Sequence, residues 1–183
     1  MKEQDKQELL QLARESITFR LKNGAPFQVE RSENQLFNEQ RAVFVTLTIG
    51  GELRGCIGQM IATEPLFKAV IHMAHQSAFH DTRFRPLTED ELEQTVIEIS
   101  ILTPMKRVDS WKDIVMERDG VHVSQGYKSG VFLPQVARDT GWDRETFLRH
   151  LCSGKAGLPP DAYKDPKTEI KVFQVDEFSE TRD

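Results

Sequence analysis

At 183 residues and 21.0 kDa the chain fits one ordinary domain, with room for a small lobe but not for two full-sized domains. Apolar residues make up 38% and charged residues 29%, a globular balance that excludes wholesale disorder. With 24 basic against 29 acidic side chains the net charge is −5, which counts against a general nucleic-acid binder. The densest basic spots, Arg83/Arg85 and Lys106/Arg107, are only local pairs.

The opening Met1-Lys2-Glu3-Gln4-Asp5 has no apolar stretch behind it that reads as a signal peptide. No apolar run approaches the ~20 residues that span a bilayer. Cys56 and Cys152 are the only cysteines, and two reduced thiols in a cytoplasmic protein, off the membrane, are the expectation.

Leu10, Ala13, Ile17 and Leu21 recur at steps of three and four, so a first helix is expected over about 5–22, stopped by Asn23-Gly24. Residues 25–41 read as an irregular connection. Strict alternation over Ala42–Ile49 places Val43, Val45 and Leu47 on one face and Phe44, Thr46 and Thr48 on the other. Gly50-Gly51 turns the chain into a hairpin partner over Glu52–Ile57. Pro65 opens a second helix that ends near His80-Asp81. Ile97, Ile99 and Ile101 mark a strand over Thr95–Thr103, and short strands follow at 121–124 and 130–133. Asp143 is placed to cap a helix carrying Phe147, Leu148 and Leu151, and Ile170, Val172 and Val175 form one closing strand. Hairpins without regular β-α alternation give an α+β fold with a largely antiparallel sheet.

Leu53-Arg54-Gly55-Cys56-Ile57-Gly58 carries the most chemistry. Gly55 and Gly58 leave bare backbone beside Cys56 for a ligand or another chain, and a guanidinium near a thiol favours its thiolate. A three-residue loop, pairing Leu47 with Leu53 and Val43 with Ile57, would bury apolar against apolar. It would turn Arg54 and Cys56 to the face of Thr46 and Thr48. A plainly packed hairpin is the rival. The candidate catalytic residues are Cys56 as nucleophile, Arg54 as its activator or anion clamp, and Glu98, on the less apolar side of its strand, or Asp81 as proton carrier. Candidate ligand contacts are Gly55, Gly58, the Asp81 and Arg83 of the 81–86 loop, and Lys155 between two glycines. An ion pair capping a helix end explains Asp81 and Arg83 equally well. His72 and His75 stand three apart without a matching third ligand, so no resident metal is expected, and no cofactor can be named.

Together these segments resemble the AMMECR domain family, and specifically its bacterial and archaeal branch known as AmmeMemoRadiSam system protein A. The resemblance rests on Val43–Leu47 with Leu53–Gly58 (Leu-Arg-Gly-Cys-Ile-Gly), on Ala78–Leu87, on Glu98–Pro104 and on Gly130–Ala137. Gly141-Trp142-Asp143 and Lys155–Pro159 complete it. It implies one domain over 5–178, divisible into a larger and a smaller subdomain, between termini at 1–4 and 179–183. It also implies work beside a Memo-like protein and a radical S-adenosylmethionine (SAM) enzyme. It points to Arg54/Cys56 as the functional spot of an accessory binding or catalytic component acting on an unnamed small molecule or peptide. A non-enzymatic protein-interaction module and a nucleic-acid-associated regulator are the rivals.

Overall fold

The computed structural model describes residues 1–181 and divides the chain into two compact units. The first is Met1–Leu102 together with the chain from Asp176 onward, and the second is Thr103–Val175, inserted between them in sequence.

In the first unit, α1 (Glu3–Asn23) buries Leu9, Leu10, Ala13 and Ile17 and ends on Gly24 in the left-handed region at φ 68°. The strands β1 (Ala42–Ile49), β2 (Glu52–Gly58), β3 (Thr95–Leu102) and β8 (Val175–Ser179) form a sheet in the order β2-β1-β3-β8. Pairing of β1 with β3 sets Val43 against Ile101, Val45 against Ile99 and Leu47 against Ile97. These six side chains form the apolar face over which α2 (Leu66–Phe79) packs, with α1 against α2. Period-two burial on the strands thus meets period-3.6 burial on the helices in one core.

The hairpin differs from the three-residue-loop expectation. Gly50 and Gly51 both take positive φ, 59° and 85°, and Ile49 pairs directly with Glu52, so the loop has two residues. One residue later the register shifts by a bulge, leaving Arg54 without a cross-strand partner between Thr48↔Leu53 and Leu47↔Gly55. The bulge restores apolar pairing, Val45 against Ile57, after the tight turn alone would have opposed Val45 to Cys56.

A short helix, α3 (Glu89–Gln94), stands between the 81–86 loop and β3, where the sequence reading had none. In the second unit, β4 (Lys106–Arg107), β5 (Gly120–Gln125), β6 (Lys128–Phe132) and β7 (Glu169–Phe173) form a second sheet, ordered β4-β7-β5-β6. Its core gathers Val121, Val123 and Ile170 with Phe147 and Leu148 of α5 (Arg144–His150). Leu151 and Cys152 join from the π-helical turn after it. A further helix, α4 (Pro134–Thr140), was also unforeseen. The expected single closing strand is two: β7 belongs to the second sheet and, past Gln174, β8 to the first. Of the tail expected at 179–183, Ser179 completes β8, Glu180 is bound by Arg14, and residues 182 and 183 lie outside the described residues.

Candidate functional site

Cys56 pairs across the strands with Thr46, and Thr46 pairs on its other side with Glu98, so the three occupy one row across β2, β1 and β3. Alternation places that row on the face opposite the buried Val45 and Ile99. The Cys56 Sγ lies 3.2 Å from Thr46 Oγ1, and the residue is half-buried and in no disulfide. Two strand spacings, about 10 Å, separate Cys56 from Glu98. Burial and the nearby Glu177 carboxylate push the Glu98 carboxyl above the usual range.

The main chain of Cys56 faces the free edge of the sheet, and side chains occupy it. Its N–H donates to Asp81 Oδ2 at 2.9 Å, and its carbonyl accepts from Arg83 Nη2 at 3.2 Å. Asp81 and Arg83 also pair with each other, Nη2 to Oδ2 at 2.7 Å and Nε to Oδ1 at 3.0 Å. The pair therefore satisfies at this edge the donor and acceptor that a fifth strand would satisfy. The Arg83 side-chain hydrogen bonds hold the buried Asp81 carboxyl well below the ordinary carboxylate range, against burial, with help from the Cys56 N–H. Asp81 is therefore ionised at neutral pH.

Arg54 is held elsewhere. Its Nε and Nη2 reach Glu91 at 3.1 and 3.0 Å, and Nη2 also meets the Arg85 carbonyl at 2.9 Å. The bulged strand residue thus fastens both the 81–86 loop and α3 to β2. Glu91 in turn closes the capping box of α3, accepting from the Thr88 N–H at 3.1 Å. The Arg54 hydrogen bonds pull its carboxyl down to about 2, against burial, with help from Thr88.

The motif glycines meet protein rather than open space. A Cβ on Gly55 would stand 2.2 Å from the Ser77 carbonyl oxygen of α2, and one on Gly58 would stand 2.2 Å from two atoms of the Phe44 ring. Ser77 draws helix and hairpin together, its Oγ donating to the Val45 carbonyl at 2.7 Å and accepting from the Ile57 N–H at 2.9 Å. Lys155 lies in the second unit, exposed at the end of the π-helical turn Leu151–Lys155. His72 Nδ1 is 2.8 Å from Glu64, and His75 is half-buried with its ring against those of Phe79 and His80.

The structure therefore brings Cys56, Asp81 and Arg83 together, sets Glu98 in the same row, and ties Arg54 to Glu91. Sequence reasoning missed Glu91 and Ser77 as the residues that position the hairpin. Thr88-x-x-Glu91 ahead of Leu92 was a capping-box signal for the first, and nothing local marks the second.

Fold and site together define an α+β protein of two antiparallel sheets that presents a cysteine from a bulged edge hairpin. The AMMECR1 family model matches residues 10–178, and the chain belongs to this family. A protein of Methanothermobacter thermautotrophicus is 40% identical over 94% of this chain and 92% of its own length. One of Methanopyrus kandleri is 42% identical over 94% and 86%. The crystal structure of a Pyrococcus horikoshii protein superposes with a TM-score of 0.86 at 37% identity, covering 98% of this chain and 93% of that one. No helix among the described residues is long and apolar enough to cross a membrane.

Proposed function

We propose that this chain is the A component of a cytoplasmic three-part system, an accessory binding or catalytic protein working with a Memo-like protein and a radical SAM enzyme. Its working site is Cys56. The observation that carries the site is the fixing of both main-chain polar groups of Cys56 by Asp81 and Arg83 while its thiol faces Thr46. Such double anchoring holds a side chain to one geometry, as a nucleophile or ligand clamp requires. The named partners rest on the family resemblance.

In the catalytic form of this reading, Cys56 is the nucleophile toward a small molecule or peptide. Arg83, whose charge is reinforced by its hydrogen bonds to Asp81, holds the Cys56 carbonyl and with Asp81 fixes the main chain behind the thiol. Asp81 is too acidic to carry a proton at neutral pH, so that role falls to Glu98. At about 10 Å it lies beyond direct proton transfer with Cys56, so it would act only on a group of a bound molecule that reaches β3. Arg54 is a positioning residue. The rival without chemistry, a protein-interaction module, is favoured by the place of β2 at the sheet edge and by exposed Leu53 and Ile61 on and after it.

Co-purification with the Memo-like protein and the radical enzyme, comparing wild type with Cys56→Ser and Leu53→Asp, separates the two. Retained association of Cys56→Ser with loss of pathway product supports a chemical role. Loss of association in Leu53→Asp, with full product from Cys56→Ser, supports the module. Failure of the wild type to associate with either partner contradicts the proposed system.

A further inference from the structure

The second unit holds a cavity of about 530 Å³ lined by Pro104, Lys106, Arg118, Asp119, Val172 and Phe173, all within Thr103–Val175. Its size lies within the range of small-molecule sites. Its walls divide by chemistry. Pro104, Val172 and Phe173 are apolar, and the Phe173 ring lies so close over Gly120 that a Cβ there would come within 2.4 Å of it.

The polar side is built around a buried carboxylate. Asp119 is 3% exposed and accepts the Val115 N–H at 2.9 Å, closing the turn in which the Asp119 N–H bonds the Val115 carbonyl. Arg118 lies side-on to the same carboxylate, Nε to Oδ1 at 2.8 Å and Nη2 to Oδ2 at 3.0 Å. Burial raises the Asp119 carboxyl, but the bonds from Arg118, Val115 and Gln174 outweigh it and keep the group ionised. Side-on pairing fixes the guanidinium plane and spends only one edge of its donor fork. The Arg118 side chain is still 57% exposed. Glu117, directly before it, has φ +66° and is the only non-glycine residue at positive φ among the described residues. Backbone strain of this kind collects where a side chain must be aimed. Lys106, also in the lining, is exposed and has no hydrogen-bond or ion-pair partner among the described residues.

From this we infer that the cavity is a binding site for a small phosphomonoester with an apolar or aromatic body. Arg118 and Lys106 would hold the phosphate, and the body would lie against Pro104 and Val172, with Phe173 packed over Gly120. A pre-oriented guanidinium and a mobile ammonium are the complementary pair for a dianionic oxyanion group. The site does not depend on the Cys56 chemistry.

Calorimetric titration of the full chain with phenyl phosphate, inorganic phosphate and benzyl alcohol tests it. Wild type and Cys56→Ser should bind phenyl phosphate alike, inorganic phosphate more weakly and benzyl alcohol not at all. Lys106→Ala should weaken phenyl phosphate binding about threefold or more, and Arg118→Gln about tenfold or more, with Arg118→Lys between. Arg118→Gln leaves Asp119 buried without its cation and can loosen the unit. Lys106→Ala touches none of the Asp119 bonds and is decisive if Arg118→Gln fails to fold. No binding of phenyl phosphate to wild type, unchanged binding by Lys106→Ala, or equal binding of benzyl alcohol overturns the inference.

Discussion

Arg54 and Arg83 flank one ring, their guanidiniums 5.7 and 5.5 Å from the centroid of Phe84, yet they answer to different carboxylates. Arg83 belongs to Asp81 and the Cys56 main chain, Arg54 to Glu91. Two variants separate these roles. Arg83→Gln removes the cation that pairs Asp81 and the Cys56 carbonyl, loosens the anchored main chain, and should slow alkylation of Cys56 at neutral pH about three- to tenfold. Arg54→Lys keeps the charge but loses the fork to Glu91, and should lower stability while leaving that rate near wild type. Equal rates in wild type and Arg83→Gln would remove Arg83 from the site. Gly55→Ala should cost about 3 kcal/mol in a denaturant titration, since helix backbone rather than a flexible side chain meets the new methyl. The motif itself was legible, because Cys56 between two glycines stands out in any strand. What it fastens to was not, because Glu91 and Ser77 reach it from 37 and 20 residues away.

Element by element, the long alternating strands β1 and β3 and the helices α1 and α2 could be read from periodicity alone, since each buries one regular face. The hairpin register could not. A two-residue turn followed by a bulge keeps Ile57 inside as a longer loop would, and differs in turning Leu53 out opposite Thr48, a bulge that no local sequence pattern announces. α3 and α4 are too short to show a stripe, though Thr88-x-x-Glu91 announced the first. Its glutamate gives a pH signature. The Glu91 carboxyl is held at about 2 in the folded chain against an ordinary 4.5, so the Arg54 pairing stabilises fully above pH 4.5. That contribution is lost as the pH falls from 4.5 toward 2. With side chains only 10% and 22% exposed, removing one partner strands the other. Glu91→Ala should therefore cost about 3 kcal/mol at neutral pH and flatten the acid limb of the stability profile over that window. An acid limb unchanged in the variant would show that the pair contributes nothing.

For the whole molecule, the second unit enters after β3 and leaves before β8, so the first sheet is completed only by the last strand of the chain. Arg14 of α1 secures that return. It grips the Glu180 carboxylate with Nε and Nη2 and bonds the Thr95 carbonyl at 2.7 Å, while Glu180 also accepts the Ile97 N–H at 3.0 Å. Glu180→Ala should expose the β3 and β8 amides to hydrogen exchange well before those of β5 and β6. Uniform protection in both sheets would argue against a local clamp. The division itself was only partly legible, because the closing apolar residues Ile170, Val172 and Val175 read as one strand and Gln174 carries no turn signal.

The most direct measurement compares the two thiols under one reagent. Iodoacetamide labelling of the native chain at neutral pH, mapped by mass spectrometry, should modify Cys56 in the folded chain. Cys152 is sealed at 0% exposure, its thiol pushed up by burial, and should stay unlabelled until the chain is unfolded. Labelling of Cys56 no faster than that of Cys152, or only after denaturation, would contradict a working thiol on this sheet.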